Sequence, residues 1–225
     1  MTIPLALFIK KFLLGKCTGI GFVDSTPLRV CKNQRIHIHN KFKGIAQRGK
    51  CSMWWFFGFK LHLICNECGE LLSFMIAPGD VDDRKPLEYK AFVEFIYRML
   101  VSDKGYIGKK LFDRLFIDGI QLITKLKSNM KGSLMSLSDK LLLRKRAIIE
   151  SVNDKLKNIA QVEHSRHRTF DNFIINLLSA ISAYCCFQRS RVSMLQERLE
   201  HSSYYSEFVE LTLFYVKREK VTSHR

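Results

Sequence analysis

Three acidic residues in this sequence have the type and setting needed to hold hard divalent cations. Asp24 follows Ile20, Phe22 and Val23 in a run that reads as a strand. A carboxylate in such a strand is costly to bury unless something compensates it. Asp103 closes the short apolar run Leu100-Val101-Ser102 and precedes Lys104-Gly105-Tyr106, where the glycine permits a tight exit. Glu150 lies in a segment whose Ile148, Val152, Leu156 and Ile159 recur at helical intervals, and it sits on the side opposite that apolar stripe. At ~100° per residue, Arg146 and Lys157 fall within about 40° of Glu150. One acid flanked along a helix by two cations suits metal and phosphate together. Magnesium takes a few carboxylates, with waters and substrate phosphates completing an octahedral shell. Each acid also has a plainer reading taken singly. Glu150 with Arg146 is an ordinary i,i+4 pair, and an aspartate before a turn is common for local hydrogen bonding. Spacing alone does not choose.

The elements that must position these acids follow from patterning. Residues 19–30 read as a strand, 54–65 as a second, aromatic and β-branched one, and 70–77 as a third. The turn Asn66-Glu67-Cys68-Gly69 joins the last two as an antiparallel hairpin, and Pro78-Gly79-Asp80 ends it. Residues 84–99 carry helical spacing at Leu87, Ala91, Phe95 and Met99, and a short strand 100–102 leads to Asp103. A helix over 107–116, a strand over 120–126, a helix over 140–160 and a last helix over 170–187 complete the chain. Three antiparallel strands followed by strand–helix alternation is the ribonuclease H-like order, a mixed α/β sheet flanked by helices.

Charge speaks of partners. The 225 residues hold 37 Lys and Arg against 21 Asp and Glu, a net charge of +16. A polyanion is the natural partner, because each neutralised phosphate releases counterions. An anionic membrane surface would want the cations on one amphipathic helix, whereas they run from Lys10 to Arg225. Residues 3–9 are apolar, but no basic residue precedes them and Lys10-Lys11 follow, which argues against a secretory leader. The apolar run 53–64 contains Lys60 and His62 and is too short to span a bilayer, so no membrane association is expected. Seven irregularly spaced cysteines suit a reducing cytosol.

Other constellations read more plainly. Cys65 and Cys68 have zinc-knuckle spacing without a second pair, and a structural zinc needs four ligands. His37, His39, His164 and His167 lie among Arg35, Lys41, Arg166 and Arg168, which favours phosphate contact or solvated loops over metal. Trp54, Trp55, Phe56, Phe57 and Phe59 could stack bases, but aromatics in such a strand are more often core.

The motifs taken together resemble DDE transposases of the insertion sequence 982 family. The similar blocks are Val23-Asp24-Ser25-Thr26-Pro27-Leu28 with Cys31, then Gly58-Phe59-Lys60-Leu61-His62-Leu63, then Pro78 to Arg84, then Asp103-Lys104-Gly105-Tyr106-Ile107. Lys140 to Asn158 forms the longest block, followed by Glu163 to Arg168, Asn172-Phe173 and Asn176-Leu177-Leu178. The resemblance implies a ribonuclease H-like fold and DNA strand transfer. It also implies two divalent ions, magnesium with manganese as the alternative, held by Asp24, Asp103 and Glu150 as catalytic acids. Arg146 and Lys157 would position phosphates, with Lys60, Lys104 and Arg166 as further DNA contacts. Of the wider group's Tyr, Arg, Glu, Lys signature, Arg146, Glu150 and Lys157 match, while Leu143 stands at the tyrosine position.

The implied partners are transposon-end and target DNA and a second copy of the chain, in the bacterial cytoplasm. Residues 1–18 would be a remnant of an N-terminal region, 19–187 the catalytic domain and 188–225 a divergent tail. The short N-terminal part and the unmatched tail also fit a truncated, inactive remnant that only binds DNA. A generic nucleic-acid-binding module is a third reading, and it expects the three acids to be scattered in space.

Overall fold

Phe22, Thr26 and Leu28 alternate with Val23 along one long strand, so the strand has two apolar faces and needs a layer on each. The computed structural model describes residues 2–38, 40–51, 54–125, 135–163 and 169–191. The chain divides into two compact units, Met1–Cys186 and Phe187–Arg225, and of the second only residues 187–191 are described.

The first unit opens with helix α1 (Thr2–Phe8) and a wider helical turn, Ile9–Leu13. Ile9 is fully buried, with Leu5, Leu13 and Leu14 packed against the same core. Strands β1 (Ile20–Cys31), β2 (Gln47–Lys50), β3 (Trp55–Cys65) and β4 (Leu71–Pro78) follow. Next come helix α2 (Lys90–Val93), strand β5 (Arg98–Ser102), helix α3 (Lys109–Ile117) and strand β6 (Ile120–Thr124). Helices α4 (Leu137–Lys145), α5 (Ala147–Asp154) and α6 (Phe170–Arg191) complete the described chain.

The strands form one mixed sheet in the order β2-β3-β1-β5-β6, with β4 also on β3. β1 is antiparallel to β3, with Asp24 opposite Leu63, and parallel to β5, which is parallel to β6. β4 covers the outer edge of β3 from Cys65 to Phe59, and β2 covers it from Gly58 to Trp55. The handover occurs at glycines. Gly79 donates its N–H to the Gly58 carbonyl at 3.0 Å, and a Cβ on Gly49 would collide with the Gly79 carbonyl.

Side-chain alternation divides the core between the two faces of the sheet. One face buries Phe22, Leu61, Leu63 and Val101 against Ile149, Val152 and Leu156 and against Phe173, Leu177 and Ile181 of α6. The other buries Val23, Ile64, Leu100 and Leu122 against Leu87, Phe92, Leu111 and Leu115. Helix α6 is long and apolar enough to cross a membrane, but Phe173, Leu177 and Ile181 pack it into this core.

The antiparallel hairpin, the α3 helix and the β6 strand fall within a few residues of the sequence reading. The expected helix over 84–99 does not form. Only the 3-10 turn Lys85–Glu88 and the single turn α2 are helical there, and Arg98, with φ 68°, starts β5 instead. Leu100 and Val101 are buried on opposite faces, which is the burial of a central parallel strand rather than of a helix stripe. β2 is a strand beyond those expected; its Gln47-Arg48-Gly49-Lys50 has no apolar signal. The expected helix over 140–160 starts earlier, with the Ser136 hydroxyl accepting from the Asp139 N–H at 3.1 Å. It breaks at Arg146 and ends in the wider turn Lys155–Ile159. Ile159, placed in the apolar stripe by spacing, is 73% exposed, because the changed helical pitch rotates it off the buried face.

Candidate active site

β1 is flanked by β3 and β5, so its midpoint lies at the centre of the sheet. Asp24 stands there on the face covered by α5. Asp103 follows the last residue of β5, and the Tyr106 N–H caps its carbonyl at 3.0 Å to start the turn Lys104–Tyr106. Glu150 lies in the first turn of α5. Two side chains of the α4–α5 helical segment join these three acids. The Arg146 guanidinium lies 3.2 Å from Asp103 through Nη1 and 3.1 Å from Glu150 through Nη2. Asn153, one turn beyond Glu150, donates from Nδ2 to Asp24 Oδ2 at 3.0 Å. Strand, strand end and helix thus bring their carboxylates around one cation.

The electrostatics agree with that geometry. Burial pushes the Asp24 carboxyl up to about 6, against the pull of Arg146 and the Ser25 backbone N–H, with Asp103 and Glu150 adding like-charge repulsion. Asp24 therefore senses all three charged members of the group. Arg146 is the inner member, with 15% of its side chain exposed against 40% for Asp103 and 61% for Glu150. Arg146 Nε and Asn153 Oδ1 are buried without a hydrogen-bond partner.

Among the described residues, no group of three or more His, Cys, Asp and Glu is close enough to hold a metal in this arrangement. The donors are nevertheless of the kind a hard cation takes: carboxylate oxygens of Asp103 and Glu150 meet one positive charge, and Asp24 lies within its electrostatic reach. Arg146 supplies positive charge beside Asp103 and Glu150 here.

The remaining candidates are dispersed. Lys104 is exposed directly beside Asp103. Lys157 lies 3.7 Å from Glu163, which also receives the Arg29 backbone N–H. Lys60 does not join the group. It is buried, and its ammonium donates at 2.9 Å to both the Val81 carbonyl and Asp83. Lys60 is paired with its own chain, as a lysine taken into a core must be, and does not stand at the surface to meet phosphate. Arg166, His39, His164 and His167 lie outside the described residues. Cys65 is buried and Cys68 exposed. Sequence reasoning missed Asn153; its spacing of three from Glu150 on a helix was the available signal.

The family described as "Transposase DDE domain" matches residues 14–170. No curated protein matches the chain. Among solved structures it is similar to the piggyBac transposase synaptic complex with hairpin DNA, at TM-score 0.52 and 10% identity, covering 77% of this chain and 47% of that one. A simian T-cell lymphotropic virus intasome matches at TM-score 0.41 and 13% identity, covering 74% and 48%. The chain spans about half the length of these structures. The likeness to the piggyBac structure agrees with the mixed sheet in showing a ribonuclease H-like fold. A match over well over half of the sequence places the carboxylates inside a known domain type, and the chain belongs to the DDE transposase domain family.

Proposed function

We propose that this chain is the catalytic domain of an insertion-sequence transposase, of the 982 type, which cuts and joins DNA through Asp24, Asp103 and Glu150. The observation that supports it is the bridging of Asp103 and Glu150 by Arg146 while Asn153 of the same helical segment holds Asp24. Two divalent ions, magnesium or manganese, would be held by the three carboxylates; when bound they supply a water of lowered pKa and stabilise charge on the leaving oxygen. The protein's own groups do the rest. Asn153 orients Asp24, and Arg146, released from Asp103 and Glu150, is placed to meet a phosphate oxygen. Lys104, exposed beside Asp103, adds further positive charge, and Lys157, farther along the helix beside Glu163, is a more distant phosphate contact. The substrate is transposon-end DNA and then target DNA, handled by a homodimer in the bacterial cytoplasm.

Leu143 is buried at the signature's tyrosine position, which favours a second reading, a copy that binds DNA without cutting it. The deciding experiment is nicking of supercoiled plasmid in magnesium and in manganese by the wild type and by Asp24→Asn, Asp103→Asn and Glu150→Gln. The catalytic reading expects nicking by the wild type alone. Nicking by the Asp24→Asn chain at the wild-type rate would sink the site, and plasmid binding without nicking selects the second reading.

A further inference from the structure

Among the aromatics of the 54–59 stretch, the structure draws a line. Phe56, Phe57 and Phe59 are buried, whereas Trp54 and Trp55 are 45% and 51% exposed. Both indoles stand at the end of the ribbon made by β2, β3 and the last residues of β1. Hydrogen bonds to their carbonyls hold them there: the Asn33 side-chain Nδ2 donates to the Trp55 carbonyl at 2.7 Å, and the Cys51 N–H to the Trp54 carbonyl at 3.0 Å. Cations frame the rings. The Arg29 guanidinium lies 4.5 Å from the Trp54 ring centre, and Arg48 and Lys50 lie 5.6 and 5.7 Å from that of Trp55. Arg48 and Lys50 are exposed on edge strand β2 and have no acidic neighbour within that strand.

We infer that Trp54 and Trp55, with Arg29, Arg48 and Lys50, form a second nucleic-acid site that takes unpaired bases of a DNA strand. An indole face stacks any base, and cations beside it meet the flanking phosphates. A paired duplex offers no free base faces, which is why the ligand is a single-stranded or frayed stretch. At ~3.3 Å per residue, Arg29 lies roughly 17 Å along β1 from Asp24 and Trp55 roughly 26 Å along β3 from Leu63, the partner of Asp24. The inference rests on the transposase reading only for placing the strand at the carboxylates; the stacking site stands on its own residues.

The chain contains two tryptophans, and both are at this tip, so intrinsic tryptophan emission reports on it alone. The full chain is titrated, without divalent ions, with a ~12-nucleotide oligothymidylate, with a blunt duplex and with a duplex carrying a single-stranded overhang. The single strand and the overhang quench the emission and the blunt duplex does not. Trp54→Ala and Trp55→Ala each weaken single-strand binding about ten-fold, Trp→Phe keeps most of it, and Arg48→Gln or Lys50→Gln lowers the salt slope by ~0.7. Single-strand binding that leaves the emission unchanged and survives both alanine substitutions overturns the inference. Loss of self-association in those variants, with DNA binding intact, overturns it in favour of a protein contact. Quenching in a wild type that never nicks DNA counts against the catalytic reading and for this site; nicking without quenching does the reverse.

Discussion

Asn153 holds the Asp24 carboxylate at 3.0 Å across 129 positions of sequence. That single bond fixes the rotation of α5 on the sheet, because Val152 and Leu156 on the neighbouring face of the helix are buried at the same time. With α5 so rotated, the i,i+4 pair of Arg146 and Glu150 lies toward Asp103, which Arg146 meets at 3.2 Å. The site is therefore set by packing of an apolar stripe and one amide, and its charged groups fall into place as a consequence.

Asp24 makes stability depend on pH in an unusual sense. Burial raises its folded pKa from 3.8 to about 6, so the native state holds the proton more tightly than the unfolded chain. Its contribution is full below pH 3.8 and is lost as pH rises through about 6. That difference in proton affinity is worth on the order of 2–3 kcal/mol. Asp24→Asn, which keeps an acceptor for Asn153, is expected to be more stable than the wild type above about pH 6 and equal to it near about pH 3.5. Urea unfolding at those two pH values checks it; equal stability at both would show that Asp24 ionises freely.

His62 titrates with the opposite sign. It is 1% exposed, both ring nitrogens lack partners, and burial lowers its pKa from 6.5 to about 4, opposed by Asp83 and aided by Lys60. The unfolded chain takes up the proton first, so stability is full above pH 6.5 and falls as pH drops through about 4, by on the order of 3 kcal/mol. Between about pH 4 and 6 this trend and that of Asp24 partly cancel in the wild type, and only single variants separate them. His62→Leu is expected to retain stability at about pH 4.5 that the wild type loses, read as a smaller drop in urea midpoint between about pH 7 and 4.5.

What the sequence disclosed and what it hid follow from the same physics. The hairpin of β3 and β4 is legible because its apolar runs meet at an Asn-Glu-Cys-Gly turn, and Asp24 because a carboxylate interrupts a core strand. β5 is not, since Leu87, Ala91, Phe95 and Met99 imitate a helix stripe and a five-residue strand between parallel neighbours shows no alternation. β2 is polar throughout, and its pairing to β3 is made by backbone groups that leave no mark on composition. Lys60 reads as a surface cation because its acceptor, Asp83, lies 23 residues away. Nothing local in the sequence says which aromatics of the 54–59 stretch face water; Trp54 and Trp55 do, at the start of β3, and Phe56, Phe57 and Phe59 do not.

Lys60 and Lys104 should separate cleanly by experiment. Lys60→Met leaves the Asp83 carboxylate and the Val81 carbonyl without their donor, at a cost of ~1–3 kcal/mol in unfolding free energy. It should leave the salt dependence of DNA binding unchanged. Lys104→Gln, exposed beside Asp103, should do the converse: little change in stability, and a salt slope reduced by ~0.9 on duplex DNA. Filter binding across a salt series, with thermal melts of the same preparations, tests both, and a reduced slope in Lys60→Met would return that residue to the DNA surface.

If the three carboxylates hold metal as proposed, Arg146 and a divalent cation compete for them, and the competition is measurable without any DNA. Removing the guanidinium by Arg146→Met leaves Asp103, Glu150 and Asp24 repelling one another, which should cost ~1–2 kcal/mol given how much of Asp103 and Glu150 is open to water. Magnesium should restore that loss, since the variant binds the ion without first displacing a side chain. A ligand that binds only the native state stabilises it by RT ln(1 + [L]/Kd), ~2.7 kcal/mol at about a hundred times Kd. The gap between variant and wild type is thus expected to close or reverse as magnesium is added at about pH 8. At about pH 5, where Asp24 holds its proton, the magnesium effect should fade in both, because the ion needs the ionised carboxylate. Melting curves across a magnesium series at the two pH values give the answer. A gap that stays constant at every magnesium concentration would mean that Arg146 does not occupy the place where a cation binds, and the metal assignment would have to move away from these three acids.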